Sequence, residues 1–228
     1  MTPTRYIAMI SVHNLCFDRV DHIETHHILS NLSFNLSQGE QLALLGDSGS
    51  GKTTLLHLLA GLLQPQQGNI LINADDITQF TAYELAMYRR TIGIIFQNYQ
   101  LLPSLNIEDN ILFQFRLNEQ KNEEQALENI TKELGIHHKL RAYPHQLSGG
   151  EQQRAAIARA LIHNPILVLA DEPTGNLDQK RSLDVVHMIR ELCRDRKVNF
   201  VMVTHSEHLA QKMQYVKELR HGQLYDRN

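Results

Sequence analysis

The sequence predicts an α/β fold with a parallel central sheet, an antiparallel β-rich N-terminal layer and an inserted block of helices. Strand-like segments alternate with helix-like segments on both sides of a long helical stretch, and such alternation is typical of parallel sheets with crossover helices. Residues from about 7 to 45 instead have a β pattern throughout. We therefore expect one domain over 1–228, with a core of about 1–97 and 164–228 and a helical subdomain of about 98–163.

The predicted strands are short apolar or alternating runs between polar turns, which is the pattern of buried strands. Gly39-Glu40 forms a turn before the third strand, and Gln66-Gln67-Gly68 forms another before the fourth. A final strand pair surrounds Gly222. The other strands are predicted at 7–12, 32–36, 41–45, 69–72, 92–96, 166–170 and 198–204.

The predicted helices combine apolar residues at helical spacing with recognisable ends. Asn106 is placed to cap a helix that has Glu108 and Asp109 in its first turn, and Gly135 is placed to end the next helix. Helices are predicted at 54–60, 81–90, 107–117, 123–134, 151–163, 179–194 and 206–213.

Composition excludes several classes of protein. The chain has 228 residues and a formal net charge of −3, so bulk charge does not indicate a nucleic-acid partner. Cys16 and Cys193 lack a C-x-x-C spacing, which favours unpaired thiols in a reducing compartment. No apolar run reaches the roughly 18–20 residues of a membrane span, and residues 1–6 lack the apolar region of a signal peptide. We expect a cytoplasmic protein that reaches a membrane only through a partner.

A phosphate-binding loop lies between the third strand and the first helix. The pattern G-x-x-x-x-G-K-[ST] in this strand–loop–helix context is specific, because glycines leave the backbone amides free to bind phosphate oxygens. We expect Lys52 to reach the β- and γ-phosphates and the Thr53 hydroxyl to ligate Mg²⁺. The loop consists of Gly46, Asp47, Ser48, Gly49, Ser50, Gly51, Lys52 and Thr53.

Two acids end the apolar strand at 166–170. Ligands gather beyond the carboxyl ends of parallel strands. In that position Asp171 would hold Mg²⁺ through water and Glu172 would position or deprotonate the attacking water. Taken alone, such a pair is more often a helix cap; beside a phosphate loop, the functional interpretation is favoured.

A second glycine-rich segment opens the helix near 151. Ser148, Gly149 and Gly150 present another group of exposed amides, while Ser148 and Glu151 match a capping box. These interpretations are compatible. Since one nucleotide needs only one phosphate loop, the second anion site indicates a nucleotide held by another copy of the chain.

Together these motifs resemble an ABC-type ATPase over nearly the whole chain. The resemblance implies a P-loop NTPase (RecA-like) core, ATP and Mg²⁺ as ligands, and contacts to ATP that extend to Thr54. The 173–178 segment is similar to the branch that includes lipoprotein-release, macrolide-efflux and cell-division ATPases. The motifs that carry the resemblance are the phosphate loop, Gln97, Leu147-Ser148-Gly149-Gly150-Glu151-Gln152, Asp171-Glu172, Asn176-Leu177-Asp178 and His205.

The resemblance also implies roles for residues outside the phosphate loop. Gln97 is expected to touch Mg²⁺ or the attacking water, and His205 to contact the γ-phosphate. Asp178 is expected to cross a dimer seam towards the partner's phosphate loop. One position departs from the family: Arg19 stands where an aromatic residue usually stacks on adenine. Either its guanidinium plane or the face of Phe17 would then support the base, which predicts weak selectivity between ATP and GTP.

The expected partners are a second copy of the chain and a separate transmembrane permease subunit, with no nucleic acid. Residues 99–117 resemble the surface that grips a membrane partner, although the apolar side chains of Leu101, Leu102 and Leu105 equally suit ordinary packing. Two functions remain open. One is export or extraction of a lipoprotein, peptide, lipid or drug. The other is a regulatory ATPase that transmits force without transport.

Overall fold

The structure, a computed structural model, describes residues 9–21, 24–175 and 177–227. Three predictions lie outside the described residues: the start of the first strand at Ile7, those for the first six residues, and the one for Asn176. The strands are β1 (Ile10–Asp21), β2 (Glu24–Leu36), β3 (Gln41–Leu45), β4 (Gln67–Ile72), β5 (Asp75–Asp76), β6 (Ile92–Phe96), β7 (Leu167–Asp171), β8 (Asn199–Thr204), β9 (Tyr215–Arg220) and β10 (Gln223–Arg227). The helices are α1 (Lys52–Leu59), α2 (Ala82–Arg89), α3 (Ile107–Leu117), α4 (Glu123–Glu133), α5 (Gly149–Leu161), α6 (Gln179–Asp195) and α7 (Glu207–Ala210).

The strands form two sheets. The N-terminal sheet is antiparallel, in the order β2-β1-β4-β5. The central sheet has the order β10-β9-β3-β8-β7-β6, and its strands are parallel except for the β9–β10 hairpin at one edge. The predicted α/β fold with an antiparallel N-terminal layer is therefore confirmed.

The central sheet is buried on both faces. One face packs with α1 and the N-terminal sheet in a cluster that includes Leu42, Leu44 and Val201. The other packs with α6 and with α3, α4 and α5, in a cluster that includes Ala43 and Phe200. Alternate residues of one strand enter different clusters because side chains alternate across a strand. The helical block thus shares a continuous apolar core with the sheet.

The first two strands are much longer than predicted. The register between them shifts on either side of Leu15 and again between Phe17 and Asp18. Asn14 and Asn31 adopt left-handed backbone conformations. Each bulge adds a residue and breaks the period-two alternation. The alternation on which the prediction rested is therefore lost after Val12, although pairing continues to the Asp21–Glu24 pair.

The helix predicted at 206–213 is wrong in length, because only Glu207–Ala210 is α-helical. The next residues form tight turns in which the Lys212 amide donates to the Leu209 carbonyl and the Met213 amide to the Ala210 carbonyl. Each of these hydrogen bonds joins residues three apart, as in a 3₁₀ turn. The chain therefore turns directly into β9. The other predicted boundaries agree with the structure to within about two residues, the usual uncertainty of helix and strand ends.

Candidate functional site

The site is built at one edge of the central sheet. Strands β3, β6, β7 and β8 are mutually parallel neighbours or near neighbours, so their carboxyl ends meet at the same edge. The residues that leave these ends are the phosphate loop, Gln97, Glu172 and His205. Such an edge is where ligands bind in parallel α/β sheets.

The phosphate loop is held against the sheet by close backbone contacts. A Cβ atom on Gly46 would lie 2.6 Å from the carbonyl oxygen of Leu219, so no larger residue fits there. Gly51, immediately before α1, has φ 102° and would direct a Cβ atom to 3.1 Å from the Ile28 carbonyl. These two glycines therefore let the loop wrap between β9 and β2.

Lys52 lies beneath this loop and is only 7% exposed. Its Nζ donates to the carbonyl oxygens of Gly46, at 2.7 Å, and Asp47, at 2.6 Å. Burial lowers the pKa of Lys52, and the negative charges of Glu172, Asp171 and Asp47 oppose that effect. The ammonium group thus lies within the curve of the loop. Thr54, in the first turn of α1, is half-buried.

Thr53 and Asp171 form the first contact across the site. The Thr53 hydroxyl donates to Asp171 Oδ1 at 3.1 Å. It joins the start of α1 to the end of β7, and both oxygens are hard donors of the kind that Mg²⁺ prefers. Two of the three residues predicted to hold the metal, Thr53 and Asp171, therefore stand next to each other.

Glu172 and His205 form the second contact. His205 Nδ1 lies 2.9 Å from Glu172 Oε1, which joins the ends of β7 and β8. Glu172 has φ 47°, and its backbone is fixed by bonds from its amide to the Val203 carbonyl and from the Gly175 amide to its own carbonyl. A non-glycine residue in this region is held there by its surroundings, so the carboxylate is set in place before any ligand arrives.

Gln97 is exposed at the end of β6 and lies against the loop that follows β7. A Cβ atom on Gly175 would be 2.5 Å from Gln97 Nε2. The absence of a side chain at Gly175 therefore leaves room for the Gln97 amide beside the residues that follow Glu172.

The second glycine-rich segment lies at the N-terminus of α5. The predicted capping box is confirmed: the Ser148 amide and hydroxyl both donate to Glu151 Oε2, at 2.8 and 2.7 Å. These bonds, with Lys139 beside them, lower the pKa of Glu151 to about 2. Gly149 is exposed, and no neighbouring atom lies within 4 Å of a Cβ atom built on Gly150. The amides at this helix end are therefore open to an outside anion.

Asp178 caps α6, its carboxylate accepting from the Arg181 amide at 3.0 Å, and its side chain is exposed. Among the described residues, no hydrogen bond joins Asp178 or Ser148–Gly150 to the phosphate loop. Within one chain, then, the predicted ATP-binding residues fall into a cluster around the loop and two exposed helix ends.

Arg19 lies on β1, exposed, and pairs in register with His26 of β2. Its neighbour Asp18 binds His27, which lines a cavity of about 320 Å³ beside the phosphate loop. Phe17 is 8% exposed and belongs to the core, which favours ordinary core packing over a contact of its face with the base. Arg19 is left as the predicted base contact.

Sequence reasoning missed Arg159, on α5. Its guanidinium donates to the carbonyl oxygens of Gln100, at 2.6 Å, and Tyr99, at 2.7 Å. A signal was present, because Arg159 interrupts an alanine-rich, mostly buried run of α5, and a charged group in such a run requires polar partners.

Asn110 was also missed. This fully buried residue of α3 accepts from the Leu102 amide at 2.7 Å and donates to the Leu102 and Leu105 carbonyls at 3.0 Å. It fixes the loop between β6 and α3. Leu102 and Phe113 are exposed and border a cleft of about 260 Å³.

Comparison with known proteins agrees with this geometry. A family model described as ABC transporter matches residues 29–175, which is more than half of the chain and includes the phosphate loop and the acids after β7. The chain belongs to the ABC transporter family.

Individual relatives support this assignment. The chain is 41% identical over 186 residues to the ABC transporter ATP-binding protein YtrE of Bacillus subtilis (strain 168), with 80% of each chain covered. It is 37% identical over 205 residues to the lipoprotein-releasing system ATP-binding protein LolD of Buchnera aphidicola subsp. Acyrthosiphon pisum (strain APS), covering 89% of this chain and 90% of LolD.

A solved structure extends the likeness to the fold. A dimeric structure of the ATP-binding cassette MJ0796, in a post-hydrolysis state with ADP and Pi, matches with a TM-score of 0.86 and 29% identity, covering 95% of this chain and 96% of that one. The chain is therefore an ATP-binding subunit of the ABC type, with an ATPase fold. Among the described residues, no helix has both the length and the apolar composition needed to cross a bilayer.

Proposed function

We propose that two copies of this chain hydrolyse ATP–Mg²⁺ between them and thereby drive a separate transmembrane subunit. The observation that carries the proposal is the pair of contacts at the sheet edge, Thr53 with Asp171 and Glu172 with His205. They bring one metal-binding pair and one acid–histidine pair to the same phosphate loop.

The residues present fit Mg²⁺. The Thr53 hydroxyl and the Asp171 carboxylate supply two oxygen donors, and the Gln97 amide oxygen supplies a third at the end of β6. Mg²⁺ is commonly held by few protein oxygens and completed by substrate phosphates and water. When bound, it would neutralise charge on the β- and γ-phosphates of ATP.

The remaining residues divide the work of hydrolysis. Glu172 accepts a proton from the water that attacks the γ-phosphate, and its bond to His205 keeps the carboxylate oriented. His205 and Lys52 stabilise the charge on the transferred phosphoryl group. Lys52 exchanges its bonds to the Gly46 and Asp47 carbonyls for bonds to phosphate oxygens.

The partner copy completes the site. Open amides at Ser148, Gly149 and Gly150 bind the γ-phosphate of an ATP held by the other chain, because a helix N-terminus attracts anions. Asp178 faces the other chain's phosphate loop across the seam. The dimeric post-hydrolysis structure of MJ0796 supports this two-chain arrangement.

The transmembrane partner docks on an exposed apolar surface that we call the docking surface. It consists of Leu102, Phe113 and Leu117, each at least 40% exposed; Leu102 and Phe113 border the cleft that Gln100 also lines, and Leu117 lies one turn beyond Phe113 on α3. Asn110 keeps Leu102 in place. Of the three leucines predicted to bind a partner or to pack, Leu102 is exposed, whereas Leu101 and Leu105 are half-buried.

The work performed is export, or extraction of a substrate from the membrane. The name of the LolD relative, a lipoprotein-releasing system protein, favours a lipoprotein among lipoprotein, peptide, lipid and drug. The alternative is a regulatory ATPase that transmits force across the membrane without transport. In both cases the chain is cytoplasmic and bound to the inner face of the cell membrane through its partner.

The substitution Glu172→Gln tests the proposal. It removes the proton acceptor and keeps the shape of the side chain, so hydrolysis should fall at least about 100-fold, the low end for loss of general base catalysis. Because ATP then persists, the variant should accumulate as a dimer in ATP–Mg²⁺, measured by light scattering after gel filtration. Hydrolysis at the wild-type rate would show that Glu172 is not the base.

The same variant identifies the partner. Tagged Glu172→Gln protein should be purified from solubilised native membranes with ATP–Mg²⁺ and its companions identified by mass spectrometry. A stoichiometric polytopic membrane protein supports the coupled motor, and its extracytoplasmic part distinguishes transport from force transmission. Recovery with soluble proteins alone would contradict a membrane role.

A further inference from the structure

The segment between Gln97 and the docking surface has an unusual backbone. Tyr99 and Gln100 are consecutive non-glycine residues with φ values of 57° and 50°. Residues rarely adopt the left-handed conformation without local support, and two in succession require surroundings that hold them.

Arg159 supplies that support. It stands near the C-terminal end of α5 and donates separately to the Tyr99 and Gln100 carbonyls, at 2.7 and 2.6 Å. Among the described residues, Arg159 takes part in none of the ion pairs. The two terminal nitrogens of its planar guanidinium therefore bind the carbonyls of the two residues with left-handed backbone. A lysine ammonium, which is a single charged point, does not reproduce this geometry.

The same segment also meets the beginning of α5. A Cβ atom on Gly149 would lie 3.4 Å from the Tyr99 hydroxyl. Arg159 is ten residues further along the helix, about 15 Å at the rise of an α-helix. The segment is thus bonded to α5 at Arg159 and lies close to the same helix at Gly149, beside the open amides at Ser148–Gly150.

We propose that Arg159 is a positioning residue that makes the Gln97–Gln100 segment and α5 move as one body. This inference rests on the proposed function, in which Gln97 helps to hold the Mg²⁺ of the chain's own ATP and Ser148–Gly150 bind the partner's ATP. Both Arg159 and Gln100 also line the cleft of the docking surface. Loss of the γ-phosphate at Gln97 would thereby shift the amides of α5 and the membrane partner together.

The experiment compares Arg159→Ala with Arg159→Lys and with a matched control, Arg196→Ala. Arg196 also bonds a main-chain carbonyl, that of Leu192, and also joins the helical block to α6, through Glu133. All three substitutions are made in the Glu172→Gln background. Nucleotide binding to the phosphate loop is measured with a fluorescent ATP analogue, and thermal unfolding verifies folding.

Two readouts follow. In the nucleotide-free protein, Arg159→Ala should speed amide hydrogen exchange at residues 98–102, and Arg196→Ala should not. In ATP–Mg²⁺, Arg159→Ala should raise the ATP concentration for half-maximal dimer at least about fivefold, the low end for coupling between sites. ATP binding to the loop should stay unchanged. Arg159→Lys, which keeps the charge and one bond, should fall between.

Three results would overturn the inference. Unchanged exchange at 98–102 would show that Arg159 does not hold the segment. If Arg159→Ala and Arg196→Ala raise the ATP concentration for half-maximal dimer equally, the effect comes from a general loss of rigidity in the helical block and not from the Gln97–Gln100 segment. If Glu172→Gln with Arg159 intact binds ATP and stays monomeric, the two-chain site itself fails, and the inference with it; that result is recognised without any Arg159 variant.

Discussion

At the scale of single residues, the site is set by backbone positions that few side chains tolerate. Glu172 occupies a left-handed conformation at the end of β7, and Gly46 and Gly175 each leave a gap that a Cβ atom would fill. The Lys52 ammonium donates to the carbonyls of Gly46 and Asp47 in the loop. The structure thus pre-positions charge, which is how enzymes stabilise phosphoryl transfer.

The exposed Arg19 leads to a prediction about base selectivity. A guanidinium plane stacks on any purine and reads no base edge, so GTP and ATP should be hydrolysed with kcat/KM values within about threefold of each other, unlike sites that hydrogen-bond their substrate. Arg19→Ala should raise KM for both nucleotides about fivefold, as expected for loss of stacking, while Arg19→Tyr should restore it. A strict preference for ATP, or an unchanged KM in Arg19→Ala, would contradict this contact.

At the scale of elements, α5 is the helix to which most of the site's parts connect. Its N-terminus presents the amides of Ser148–Gly150. In its second turn, Gln153 donates to the Pro173 carbonyl beside Glu172. Its last turn carries Arg159. One helix thereby touches the partner-facing amides, the catalytic loop and the docking surface. A rigid helix transmits displacement along its length, which is the physical basis for coupling these regions.

His163, just beyond α5, gives an element-scale prediction about pH. It is 3% exposed, and burial lowers its pKa to about 4, opposed by backbone hydrogen bonds. Below the ordinary pKa of 6.5 the unfolded chain binds a proton that the folded chain refuses, so folding stability falls as pH drops from 6.5 towards 4.

The measurement is urea unfolding of wild type and His163→Asn at pH 7.5 and 5. Between these values wild type should lose about 2 kcal/mol more than the variant, since one pKa unit corresponds to about 1.4 kcal/mol. His138→Asn, at an exposed position, serves as the control and should behave like wild type. Equal losses in wild type and His163→Asn would show that His163 titrates normally in the folded state.

At the scale of the whole molecule, the chain has two working faces. In the proposed function, the edge of the central sheet, with the exposed ends of α5 and α6, faces a second copy. The docking surface, on α3 and the loop before it, would bind the membrane partner, and the Gln97–Gln100 segment would link it to the ATP site. This arrangement lets one chemical event at the sheet edge reach a membrane partner without direct contact between ATP and that partner.

The docking surface is tested by a matched pair of substitutions. Phe113 and Leu62 are both 47% exposed, but only Phe113 borders the cleft. Phe113→Asp should abolish recovery of the polytopic membrane protein with Glu172→Gln, because a buried charge in an apolar interface is strongly unfavourable. Leu62→Asp should retain it. Recovery by both variants would place the membrane contact elsewhere, and similar melting temperatures would exclude misfolding.

The roles of the individual site residues stay predictions, whereas the fold class, the order of elements and the family resemblance were predicted from the sequence and are confirmed. These depend on local spacing: glycines that free backbone amides, acids that end an apolar strand, a serine that caps a helix. Such features are written in consecutive residues, so they were predicted without coordinates. The full length of β1 and β2 was not predicted, because the bulges near Asn14 and Asn31 interrupt the alternation of apolar and polar residues that indicates a strand.

Which distant residues meet became visible only in the folded chain. Thr53 and Asp171, or Arg159 and Tyr99, are far apart in sequence and are joined because parallel strands bring their ends to one edge and α5 packs across it. The same packing buried Phe17 and left Arg19 exposed, a choice that depends on which face of β1 covers the core. Contacts of this kind follow from strand register and helix packing, which no local pattern encodes.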